Sequence, residues 1–123
     1  MDTPEHTLAI QRLVDTGKPY HVVDSALIEA IFILEKVKEI SRPIICQAIQ
    51  VIFSEPNIRC NRELFEQAFE DYVQFSDLSF VDCYLAATAK ISENIPLLSF
   101  DKALAKRLPY QVSLVPSDPI VLN

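Results

Sequence analysis

Glycine is nearly absent: Gly17 is the only one among 123 residues, tryptophan is missing, and methionine occurs once. No run of about 18 or more uninterrupted apolar residues occurs, which excludes an obvious membrane-spanning helix. The opening residues also lack the pattern of a cleavable signal peptide. The chain is therefore expected to be soluble and cytoplasmic, with no membrane partner. Positive charge is scarce as well. Eleven Lys and Arg face seventeen Asp and Glu, for a net charge of −6. Such a chain offers no overall basic face to nucleic acid, so contact with phosphate would need metal ions, a few local cations or a partner. Cysteine is sparse and odd in number. Cys46, Cys60 and Cys83 are widely spaced in apolar neighbourhoods and are expected as buried thiols rather than ligands or a disulfide. Internal repeats and low-complexity stretches do not stand out.

What is present is apolar material: 50% of the residues are hydrophobic, enough for one real core. Thr3-Pro4-Glu5 predicts a helix start, with Leu8, Ile10, Leu13 and Val14 inside and Gly17 at its end. Tyr20 to Val23 is expected as a short strand. Asp24 would then cap a helix on which Leu27, Ile28, Ile31, Leu34 and Val37 recur at helical spacing. Ser41 caps the next helix, with Pro43 in its first turn. Further strands are expected near Asn57–Cys60, Pro96–Phe100 and Val112–Val115. Helices are expected after Asn61 (to about Phe75, with Leu64, Phe65, Ala68, Phe69 and Tyr72 on one face), after Ser79 (to about Ile91) and after Asp101 (to about Leu108).

Strands alternating with helices predict an α/β fold, a three-layer sandwich with a mainly parallel sheet. Residues 1–115 would form one domain and 116–123 a tail. In such folds ligands gather outside the carboxyl ends of the strands, where helix N-termini also point. Asp24, Glu29, Asp82 and Asp101 all fall near strand ends or in opening turns. Each has a plain alternative. Ser79-x-x-Asp82 resembles a capping box, and Asp24 and Asp101 suit N-caps. Glu29 lies among Leu27, Ile28, Ala30 and Ile31, and a carboxylate on the apolar side of a helix costs several kcal/mol unless paired or metal-bound.

Three local patterns resemble the PIN-domain ribonucleases, especially the toxins of bacterial and archaeal toxin–antitoxin pairs. Val22 to Glu29 is similar to a V-x-D-x-x-x-x-E segment, Phe80 to Ala87 to F-A-D-A-L-I-A-A, and Ser99 to Leu104 to T-F-D-x-x-L. The resemblance runs in order along nearly the whole chain. It implies that Glu29, Asp82 and Asp101 hold Mg²⁺ or Mn²⁺ and that the metal activates water to hydrolyse RNA. Ser99 and Lys102 would contact substrate. A cognate antitoxin protein and homo-oligomers are implied partners.

The family normally opens with a strand ending in Asp within a D-T-N-like motif. Here Asp2-Thr3-Pro4-Glu5 aligns better with the start of the following helix, so the chain resembles an N-terminally truncated PIN domain without the first acid. That strand is usually central. Its neighbours are then expected to pair directly or to be completed by another chain. A three-acid site should bind metal weakly, so cleavage is expected to be slow or absent. The alternative is an inactive PIN-like fold that acts by binding protein or nucleic acid. A receiver-like phosphoacceptor fits less well, lacking the acidic pair after a first strand and the late Lys.

Overall fold

The computed structural model describes Arg12 and residues 15–116. Most of the helix expected over residues 3–17 and the tail from residue 117 lie outside the described residues; Arg12 and Asp15 are helical, and Gly17 takes the left-handed φ of +71° that suits a chain turning after a helix. The chain divides into two compact units, Met1–Glu63 and Leu64–Asn123. Among the described residues it is a mixed α/β protein with four short strands and five α-helices.

In the first unit, β1 (Tyr20–His21) pairs in parallel with β2 (Ile58–Arg59). The ladder is tied by Tyr20 N–H donating to Asn57 O at 2.8 Å and Val22 N–H to Arg59 O at 2.9 Å. Between them run α1 (Asp24–Phe32), a π-helical turn (Ile33–Val37) and α2 (Arg42–Phe53). Leu27 and Ile31 from α1, Ile45, Ile49 and Phe53 from α2, and Ile58 from β2 are buried. The four-residue spacing along each helix is the apolar stripe expected of helices that face a core.

The continuous helix expected through Val37 changes character at Ile33. There Lys38 N–H reaches back five residues to Ile33 O at 3.0 Å, and Glu39 turns left-handed with φ 55°. The next segment starts without glycine. Arg42 Nε donates to Glu35 Oε2 at 3.1 Å, an ion pair in which both side chains are largely covered.

The second unit holds most of α3 (Arg62–Gln74), with α4 (Phe80–Glu93), β3 (Leu97–Ser99), α5 (Lys102–Arg107) and β4 (Val112–Leu114). Strands β3 and β4 pair in parallel in the register Leu97↔Val112, Leu98↔Ser113 and Ser99↔Leu114. The core is aromatic. Phe80 stands 5.7 Å from Phe65, 5.2 Å from Phe69 and 5.3 Å from Tyr72 between ring centres, and Tyr84 lies 5.5 Å from Phe65. Such pairs add to simple burial when the rings tilt or meet edge to face, as Phe80 and Tyr72 do at 88°.

The four expected strands are all present, but as two separate two-stranded ladders rather than one sheet. Each strand is only two or three residues long, so each ladder offers few backbone groups to recruit another neighbour. No described helix is long and apolar enough to cross a membrane.

Candidate functional site

In the second unit the local sequence places Asp82 and Asp101 as expected. Ser79, extended at φ −75° and ψ 158°, takes the N-cap of α4, and its Oγ accepts from Asp82 N–H at 3.2 Å. This fixes the backbone of Asp82 in the first turn, and among the described residues its half-buried carboxylate has no hydrogen-bond partner. Asp101 follows β3 and caps α5, its Oδ1 accepting from Leu104 N–H at 3.1 Å. Among the described residues its other carboxylate oxygen accepts no hydrogen bond.

Ser99 ends β3 and its Oγ accepts from Asp101 N–H at 3.1 Å, so this hydroxyl shapes the turn that presents Asp101. Lys102 is exposed at the first position of α5. Arg107 is committed elsewhere: its Nε donates to Asp77 Oδ2 at 3.0 Å, joining the loop before α4 to the end of α5.

Glu29 belongs to the first unit and is exposed. The expectation that it sits on the apolar side of its helix does not hold. Leu27 and Ile31 carry the buried stripe, and Glu29, two residues from each, is rotated about 200° away from both at 100° per residue. Hydration removes the burial cost that made this acid conspicuous.

Asp24 is also reassigned. Val23 holds the N-cap of α1, and Asp24, one residue later, accepts from Asn61 Nδ2 at 2.7 Å. Because β1 and β2 are parallel, this bond ties their two carboxyl-end turns together. An acid in the first helical turn still gains from the positive end of the helix dipole.

The cysteines are free thiols. Burial pushes Cys46 up to about 11, opposed by the Arg42 guanidinium, which leaves it a poor nucleophile or ligand at neutral pH. Cys60 is raised by burial too, with Arg62 pulling its pKa down and Asp24 pushing it up.

The donor set of Glu29, Asp82 and Asp101 consists of hard carboxylate oxygens, which suits Mg²⁺ or Mn²⁺ and not a soft metal. Among the described residues no three His, Cys, Asp or Glu side chains form a group able to hold a metal ion. The chemistry of the acids fits a divalent cation; a preformed three-acid cage is not seen.

Two functional-looking residues escaped the sequence reading. Asp71 on α3 is only 6% exposed inside the aromatic core region, and Gln111 precedes β4. Asp71 lies three residues after Ala68 and one before Tyr72, both fully buried, and that spacing alone marks it as facing inward. Comparison with known proteins adds nothing to these assignments: no family model matches the chain, and no curated protein or solved structure is significantly similar to it.

Proposed function

We propose that the chain is a PIN-like, divalent-metal-dependent ribonuclease of the toxin type, with Asp82 and Asp101 as the principal Mg²⁺ or Mn²⁺ ligands and Glu29 as a third. The observation that carries this reading is the placement of Asp82 and Asp101. One sits in the capped first turn of α4 and the other at the carboxyl end of a parallel strand, each with a carboxylate oxygen free among the described residues.

The bound metal would supply a water of lowered pKa and shield the phosphate charge. The chain's own part is positioning. Ser79 and Ser99 fix the backbones of Asp82 and Asp101. Lys102, exposed beside Asp101, offers a cation to the phosphodiester. Each unit taken by itself joins a two-stranded parallel ladder to helices, which supports the PIN-like reading. A cognate antitoxin and self-association belong to the same proposal, as does a cytoplasmic setting.

Isothermal titration with Mn²⁺, followed by cleavage of a structured RNA, tests it. Weak binding and slow cleavage, both removed by Asp82→Asn with Asp101→Asn, are expected. Metal-dependent cleavage that survives both substitutions would place the chemistry elsewhere.

A second reading, a PIN-like fold that acts by binding without cleavage, is favoured by the lack of a three-acid group among the described residues. Retained RNA or protein binding with no metal-dependent turnover would select it.

A further inference from the structure

The second unit contains a buried polar pair that the proposed chemistry does not use. Asp71, on α3, is held by a side-chain hydrogen bond from Gln111, the residue before β4. Asp71 Oδ2 and Gln111 Oε1 are both buried, and among the described residues neither has a hydrogen-bond partner. An unmet buried acceptor forfeits its hydration with nothing in return, so two on one contacting pair call for a common cause.

Stereochemistry supplies it. A carboxylate can only accept and an amide offers one acceptor and one donor group. With Asp71 ionised, the Gln111 NH₂ satisfies one carboxylate oxygen, and Oδ2, like Gln111 Oε1, is left a buried acceptor with no donor. Placing one proton on Oδ2 turns the two orphans into donor and acceptor. We propose that Asp71 and Gln111 form a proton-dependent tie, a carboxylic acid and an amide joined by two hydrogen bonds, Nε2–H to Oδ1 and Oδ2–H to Oε1, which fastens α3 to the start of β4 and opens when the proton leaves.

The surroundings favour the neutral acid. Burial is the main influence raising the Asp71 pKa and Glu70 adds to it, while the Gln111 hydrogen bond and the Lys90 ammonium oppose. Lys90 is exposed to solvent on α4, so water screens much of its effect. The proton has a way out. Gln111 also lines a cavity of about 310 Å³ together with Lys90, Asn94, Ile95, Pro96 and Tyr110. Loss of the tie would let Gln111 swing toward that space.

The sign of the pH effect follows from linkage. A carboxyl whose pKa is higher folded than unfolded stabilises the fold at low pH, and that contribution fades as pH rises through the folded pKa. Asp71→Asn supplies the missing donor permanently, since its NH₂ takes the place of the acid O–H.

The test is thermal unfolding of the full chain between pH 5 and 9, for the native sequence and for Asp71→Asn, together with the carboxyl ¹³C shift of Asp71 by NMR. The native chain should lose Tm with rising pH relative to Asp71→Asn, which should be at least as stable at pH 8, and the Asp71 shift should titrate above the ordinary carboxylate range. Gln111→Met, introduced into both chains, should shrink the difference in slope between them. Were Asp71→Asn less stable than the native chain at pH 8, or the Asp71 shift to titrate at the ordinary value, Asp71 would be a working carboxylate and the tie would not exist.

Discussion

The two units solve the same problem, holding a short parallel ladder against helices, with different materials. The first leans on polar clamps. Arg62 donates to Phe53 O, to Glu55 O at 2.8 Å and to Ile58 O at 2.9 Å, so one guanidinium serves the end of α2, the turn after it and β2. Asn61 with Asp24 and Arg42 with Glu35 fasten two further corners. The second unit leans on rings: Phe65, Phe69, Tyr72, Phe80 and Tyr84 interlock between α3 and α4. Clamps fix geometry through few atoms, whereas packed rings spread their contribution over many contacts. A small domain with one glycine can therefore reach similar compactness in each half by separate routes.

The largest effect expected is on the aromatic side. Phe65→Ala removes a fully buried ring and should destabilise by about 3–5 kcal/mol, read from urea unfolding. A loss under about 1 kcal/mol would mean that the second unit is not organised by its rings. Next comes the clamp. Arg62→Met keeps much of the apolar stem but leaves three carbonyls without their donor, for an expected loss of about 2–3 kcal/mol. Hydrogen exchange should speed at the β1–β2 amides and leave the β3–β4 amides unchanged; equal acceleration in both ladders would dissolve the contrast between the units.

Smaller still, Ser79→Ala should cost about 1 kcal/mol by removing the α4 cap. It should also loosen Asp82, so any metal affinity measured by titration should fall with it. Smallest is Arg107→Ala. The Asp77 pair is roughly half exposed on both sides, and a change of no more than about 0.5 kcal/mol is expected, checked by the same urea series.

Much of this layout was legible in the chain. Ser79 and Asp101 mark helix starts because their side chains accept the orphan amides, and both do so. Of the apolar residues at helical spacing after Asp24, Leu27 and Ile31 are buried, whereas Val37 is exposed. The strands at Tyr20, Ile58, Leu97 and Val112 fall inside the expected runs.

What was not legible has physical reasons. The π-helical turn at Ile33–Val37 keeps the composition of an ordinary helix and differs only in which carbonyl each amide reaches. Asn94 ends α4 with φ 55°, a conformation that glycine would have announced and asparagine tolerates quietly. Glu29 misled because apolar neighbours in sequence are not neighbours on a helix face. The tie between Asp71 and Gln111 joins residues 40 apart in the chain, which no local pattern records. The metal residues were named through resemblance, and their chemistry is a proposal for experiment.

The ladder registers carry a kinetic consequence. Leu97 meets Val112 across 15 residues, whereas Tyr20 meets Ile58 across 38. For a flexible chain the shorter closure is cheaper by about 0.8 kcal/mol, and shorter sequence separation favours faster folding. The later half of the chain is thus expected to close its ladder first in refolding from denaturant. On the ribosome the order of appearance is reversed: β1 emerges early and waits for β2, through a stretch of synthesis in which its amides have only water for company.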